Sequence, residues 1–252
     1  MMRRLWYTML SFLPAPKNHA SIISYHAVSG SSAFNVVAPT VFEEHMRILK
    51  EEFHPVSLDE LARYRAAGSI PAKTVCVTFD DALTDVYANA LPALKKYRIP
   101  AAIFVPTGHI GSEEWLNKGE RVSVMTEDQL HEVAESDLIT LGSHSHAHAV
   151  LTTLADGELA DDFRRSKKII ESITGKECMH IAYPKGKHAE ATKTIARKVG
   201  FRFGYATLDG LVGPESDDFA LPRNGVIRSM FTTQFRVVAT RGRMTRARLF
   251  GL

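Results

Sequence analysis

The sequence predicts an α/β protein, a single barrel-like domain of about seven strand–helix alternations. Three observations carry this. Short β-rich apolar runs alternate with amphipathic helical patterns from residue 21 onward. No Pro/Ser-rich linker divides them, and no short-period repeat points to a solenoid. The 252 residues are 45% hydrophobic and 23% charged, enough to bury a substantial core, which excludes disorder and a small stapled scaffold.

The elements follow in order. Residues 1–20 join Arg3 and Arg4 to a short apolar run, and residues 14–20 contain no small-x-small cleavage site. A short interfacial helix is therefore favoured over a weak secretion signal. No run approaches the ~18 to 20 apolar residues needed to span a bilayer. A cytoplasmic location, or one peripheral to the inner membrane, is expected; secretion or a periplasmic location follows if residues 1–20 act as a signal.

The first strand is predicted over residues 21–25. A helix over 40–50 is opened by Thr40 and Glu43 at capping-box spacing, with Phe42, Met46 and Leu49 on one face. Ser57 and Glu60 open the next helix in the same way. A strand over 74–78 ends at Asp80 and Asp81, two adjacent carboxylates at the end of a strand where barrel enzymes keep their chemistry. Helix 86–97 stops before Pro100, and strand 101–105 runs into the turn at Pro106. Thr126 and Gln129 box a helix reaching residue 135. Strand 138–141 is expected to break at Gly142. Helix 160–173 ends at Gly175, strand 180–182 follows, helix 189–199 ends at Gly200, and strand 203–205 closes the series. Cys76 and Cys178 have no Cys-x-x-Cys partner and read as buried small residues.

The chemistry clusters around residues 142–148, where His144, His146 and His148 alternate. In an extended segment all three would share a face, whereas one helical turn would bring together only His144 and His148. Either arrangement offers two nitrogen donors to a divalent metal, and catalytic zinc commonly takes three protein ligands with one position open. A carboxylate from another strand end should be the third, and Asp80 and Asp81 are the candidates. Adjacent side chains diverge, so one can bind the ion while the other turns toward its water. A lone His-x-x-x-His or Asp-Asp pair is common by chance. Their joint position at predicted strand ends is what favours the metal.

Thr78-Phe79-Asp80-Asp81, then Gly142-Ser143-His144 with His148, then Ala182-Tyr183-Pro184-Lys185-Gly186, together resemble the polysaccharide deacetylases of carbohydrate esterase family 4. The resemblance runs over about residues 20 to 240 and implies a distorted (β/α)7-type barrel. The catalytic domain would span residues 21–240, with a basic and apolar segment over 1–20 and a basic tail over 241–252. It implies Asp80 as general base and Asp81, His144 and His148 as ligands of a divalent metal, usually Zn2+, with Co2+ or Ni2+ as alternatives. His146 is left without a role and is expected to be a polar rim residue.

Ala182 stands where many members have an Arg. The Tyr-Pro-x-Gly form resembles the branch that includes poly-N-acetylglucosamine deacetylases, in which a His on the first strand is the general acid. The pair Tyr25-His26 recurs here, and Arg223, in Leu221-Pro222-Arg223, could supply the missing guanidinium. A backbone N–H near Lys185 would face the oxyanion, while Tyr183, Pro184 and Tyr25 are expected to line the substrate. Ala82 stands where the family usually has Gly.

The implied activity is removal of N-acetyl groups from an amino-sugar glycan by metal-activated water, a hydrolase acting on carbon–nitrogen bonds other than peptide bonds. An O-acetyl esterase or a deacylase or deformylase of a lipid-linked sugar would use the same residues. A non-catalytic glycan-binding barrel is less favoured. The expected partner is an acylated glycan, with no nucleic-acid motif, and nothing fixes an oligomeric state. The net charge is +3, from 31 Lys+Arg and 28 Asp+Glu. Residues 219–252 carry seven arginines and no acid, and residues 1–20 carry only basic charges. The body between them is acidic, and the basic ends suggest peripheral contact with an anionic membrane.

Overall fold

The computed structural model describes residues 2–243 apart from 32, 34, 114, 118 and 119. The strands along the main path of the central sheet are β1 (Ala20–Tyr25), β2 (Thr74–Phe79), β3 (Ala101–Val105), β4 (Ile139–Ser143), β5 (His180–Ala182), β6 (Phe203–Ala206), β7 (Leu221–Pro222) and β8 (Asn224–Gly225), and the short strand His54–Pro55 pairs with the start of β2. Their order is β7-β6-β5-β4-β3-β2-β1-β8, and every pair is parallel. β7 and β8 are two halves of one run interrupted by Arg223. Leu221 and Pro222 pair with β6, and Asn224 and Gly225 pair with β1, so this run closes the sheet into a barrel. Counted as one strand, it is the seventh.

Strand periodicity sorts the side chains. Ile22, Cys76, Ala102, Phe104, Ala182, Tyr205 and Leu221 fill the barrel interior. Ile23, Tyr25, Val75, Val77, Phe79, Ile103, Val105, Leu141 and Ile181 face the surrounding helices. The parity continues past the strand ends: Asp80, Gly142 with His144, and Arg223 share it with the interior set.

The helices are α1 (Met2–Ser11), α2 (Pro39–Glu52), α3 (Leu58–Ala66), α4 (Leu91–Tyr97), α5 (Glu127–Ala134), α6 (Asp156–Thr174), α7 (Glu190–Val199) and α8 (Thr232–Arg241). The Ser57 hydroxyl accepts from the Glu60 N–H, and Thr126 with Gln129 forms a full capping box. The predicted box at Thr40 does not form. Pro39 stands at the first helical position with its φ already suited to a helix, so α2 starts earlier, behind Ala38. α6 also starts earlier than predicted, because the Glu158 carboxylate accepts the Ala155 N–H and fixes the first turn. A π-helical turn over Val86–Ala90 precedes α4, where Pro92 cannot donate to the preceding turn.

Gly142 does not break β4. The strand continues to Ser143, and the missing side chain makes room for Phe104, whose ring carbons would lie 2.8 Å from a Cβ at that position.

The N-terminal segment is a helix, and its inner face is covered by the protein itself. Tyr7 and Leu10 are buried against Val237 of α8, with Trp6 and Phe231 beside them. Several of the C-terminal arginines are engaged by the protein itself. Arg236 grips Glu52, Arg241 donates to the Pro14 carbonyl, Arg228 donates to the Ser31 carbonyl, and Arg223 is buried. Arg223, Arg236 and Arg243 face carboxylates, whereas Arg228 stays exposed. Arg246, Arg248 and the rest of the predicted tail beyond residue 243 lie outside the described residues. No described helix is long and apolar enough to cross a membrane.

Candidate active site

All the motif residues gather where the strands end. His26 follows β1, Asp80 and Asp81 follow β2, His144 follows β4, and Tyr183 to Gly186 follow β5. Among the described residues, five of the eight non-glycine positions with positive φ lie in these connections: Asp81 (72°), Ala82 (48°), Ser145 (63°), His148 (52°) and Lys185 (59°). Left-handed backbone costs an L-residue roughly 1–2 kcal/mol, so this concentration is strain held in place by the surrounding fold.

Asp81, His144 and His148 present their donor atoms within 4.8 Å of one another. Asp81 Oδ1 lies 3.5 Å from His144 Nε2 and 3.3 Å from His148 Nε2. His144 Nδ1 donates to the Ala182 carbonyl at 2.8 Å, which leaves Nε2 as the lone-pair end facing Asp81. Burial pushes the His144 pKa down to about 4, against the pull of Asp80 and Asp81, so the ring is neutral as a ligand must be. Two imidazole nitrogens and one carboxylate oxygen suit a divalent cation with an open coordination position.

The loop carrying His148 is scaffolded from α6. The Asp162 carboxylate accepts the N–H groups of His146 and Ala147, at 2.8 and 2.7 Å. Ser143 and Ser166 hydroxyls bond at 2.6 Å, Ser143 Oγ also accepts the Ser145 N–H, and Ser145 Oγ accepts the His148 N–H. These supports escaped the sequence reading because they hold backbone groups, and no spacing rule marks a helix residue that caps a remote loop.

Asp80 turns away from this cluster. Arg223 holds it through two parallel bonds, Nη1 to Oδ1 at 2.6 Å and Nη2 to Oδ2 at 2.9 Å, and both side chains are buried. Burial opposes ionisation of Asp80, but Arg223, His144 and His26 together hold its carboxyl well below the usual range. His26 is half-buried and close enough to favour the charged form of both Asp80 and Asp81. Lys185 is exposed and turns the chain beside the site in a left-handed conformation. His146 is outside the ligand cluster, with Nδ1 3.0 Å from the Thr107 hydroxyl.

The three residues expected to line the substrate need correction. Tyr25 and Tyr183 are fully buried on the helix side of the sheet, and neither hydroxyl reaches the site. The Tyr25 hydroxyl is bonded to His45 Nδ1 at 3.0 Å, and the Tyr183 hydroxyl donates to the Phe219 carbonyl at 3.0 Å. Pro184 is buried too. Strand parity predicts the placement of Tyr25: if Asp80 faces inward, Phe79 faces the helices, and so does Tyr25, its registered partner.

Comparison with known proteins agrees with this geometry. The sequence pattern of the polysaccharide deacetylase family matches residues 67–204. A poly-beta-1,6-N-acetyl-D-glucosamine N-deacetylase of Staphylococcus aureus is 27% identical over 231 residues, 82% of this chain and 78% of that protein. The Staphylococcus epidermidis protein of the same name is 28% identical over 241 residues, covering 86% and 82%. Among solved structures, Streptococcus pyogenes deacetylase PplD in complex with acetate superposes with a TM-score of 0.79 at 24% identity, over 89% of this chain and 99% of that one. IcaB from Ammonifex degensii gives 0.74 at 24% identity, over 88% and 96%. This chain belongs to the polysaccharide deacetylase family.

Proposed function

We propose that the protein hydrolyses N-acetyl groups on an amino-sugar glycan, with zinc held by Asp81, His144 and His148. The observation that carries this reading is the pairing of a three-ligand cluster with a separate carboxylate, Asp80, kept ionised beside it by Arg223. The names of the staphylococcal relatives support a β-linked N-acetylglucosamine polymer as the substrate class.

An amide is a weak electrophile with a poor leaving group, so it needs an activated water, a stabilised oxyanion and a proton for the amine. A divalent cation in the cluster supplies Lewis acidity, polarising the acyl oxygen and lowering the pKa of water from 15.7 toward ~7. Asp80 accepts the proton as the water oxygen bonds to the acyl carbon, and the Arg223 fork fixes which way its carboxylate points. Backbone N–H groups around Lys185 stabilise the developing oxyanion. His26, as imidazolium, gives its proton to the departing nitrogen as the C–N bond breaks, leaving acetate and a free amino sugar.

The test is acetate release from N-acetylglucosamine oligomers after metal removal and add-back of Zn2+, Co2+ or Ni2+. Activity that is lost with a chelator and restored by zinc is expected. Turnover confined to O-acetylated or lipid-linked acylated sugars would replace the substrate assignment while keeping the residue roles.

A further inference from the structure

We propose that a cleft adjoining the catalytic set is a binding subsite for a neighbouring sugar unit of the same glycan, anchored by Asp85; this rests on the deacetylase reading. The cleft has a volume of about 210 Å3. Ala27, which follows His26 directly, and Leu83, two residues beyond Asp81, both line it. Residues two apart in a chain lie within ~7 Å of each other, so the cleft lies along the same connections that carry His26 and Asp81.

Its lining matches a pyranose. Ala27, Val36 and Leu83 provide apolar surface for C–H faces, while Ser29, Asn35, Thr84 and Ser123 bring hydroxyl and amide groups for the ring substituents. Asp85 is the exceptional member. The backbone N–H groups of Val28 and Val86 support its carboxylate, yet Oδ1 is buried with no hydrogen-bond partner among the described residues. A buried carboxylate oxygen without a donor is unfavourable, and native structures rarely keep one without a reason. Burial pushes the Asp85 pKa up to about 6, which marks a desolvated acceptor. A sugar hydroxyl or amide N–H entering the cleft would complete it. The Asp85 carboxylate in this lining accepts from a sugar hydroxyl and repels a phosphate, which suits an uncharged sugar.

The consequence is a preference for chains over single sugars. The test compares kcat/KM for an N-acetylglucosamine pentamer with that for the monosaccharide, using zinc-loaded wild type, Asp85→Ser and Ser123→Phe. Serine keeps a hydroxyl able to accept a backbone N–H at this helix start, and phenylalanine occludes the cleft. The pentamer-to-monosaccharide ratio is expected to fall about tenfold in both variants, the scale of one hydrogen bond to a charged group. A wild-type ratio in both overturns the subsite. Equal slowing on both substrates overturns it too, because the change then acts on the catalytic centre. If wild type turns over no acetylated sugar, the deacetylase reading fails by itself and calorimetric titration with the pentamer decides the subsite. About tenfold weaker binding by Asp85→Ser supports it, and equal binding overturns it.

Discussion

Arg223 grips both oxygens of Asp80 from the one run of chain that closes the barrel. β7 and β8 flank that arginine, so closure of the fold and orientation of the proposed base are one structural event. Phe104 lies beneath the guanidinium, its ring centroid 5.2 Å from Cζ, and completes the seat.

Replacing the fork should therefore affect direction more than charge. Arg223→Lys keeps a cation but loses the two parallel bonds, and kcat on an N-acetylated oligomer is expected to fall roughly 10²-fold with metal content retained. Arg223→Ala leaves a buried carboxylate unpaired and should cost about 3–5 kcal/mol of stability, read by denaturant unfolding. Wild-type kcat in Arg223→Lys would show that the orientation of Asp80 is not limiting.

The support for the histidine loop gives a different signature. Asp162→Ala removes the acceptor for two backbone N–H groups next to His148. Zinc affinity, measured by chelator competition, is expected to weaken by roughly 10- to 100-fold, as for other residues that orient metal ligands. Unchanged affinity would mean that Ser143, Ser145 and Ser166 hold the loop unaided.

Gly142 is set by a close approach. Gly142→Ala would drive a Cβ to 2.8 Å from the Phe104 ring and press on the seat of Arg223. A loss of about 1–3 kcal/mol is expected in denaturant unfolding, and an unchanged midpoint would show that the ring can move aside freely.

His45 predicts how stability responds to acid. Its ring stacks on Phe235 at a centroid distance of 3.7 Å, and burial pushes its pKa down to about 3 from 6.5. The unfolded chain takes up this proton near pH 6.5 and the folded chain only near pH 3. Between these values the unfolded state binds more protons, so stability falls as pH drops through that window. The contribution is on the order of a few kcal/mol at most. His45→Gln should flatten the dependence of Tm on pH between 6.5 and 4; an equally steep curve would assign the acid sensitivity elsewhere.

Most of the barrel was legible because its signals are local. Helix caps at Ser57 and Thr126 and helix stops at Gly175 and Gly200 are each set by a few neighbouring residues. The closing run was not legible as a strand. Leu221 to Gly225 contains Pro, Arg, Asn and Gly, has no β-rich pattern, and pairs only through two residues on each side. Its assignment depends on the ring it completes. The metal cluster was legible as a motif, whereas placing Tyr25 and Tyr183 against substrate overlooked strand parity, which sends both to the helix side. Asp162 acts through backbone groups of a remote loop, and the cleft around Asp85 is built from segments far apart in sequence, so neither arrangement exists before the chain folds.

The central claim is that Asp80 moves the proton while Asp81, His144 and His148 hold the metal. The most direct test measures zinc content and acetate release from an N-acetylglucosamine oligomer for Asp80→Asn and His148→Ala side by side. Asp80→Asn is expected to keep zinc and lose about 10²- to 10⁴-fold in rate, whereas His148→Ala should lose both metal and activity. Near-wild-type turnover by Asp80→Asn, or full zinc occupancy in His148→Ala, would contradict the assignment.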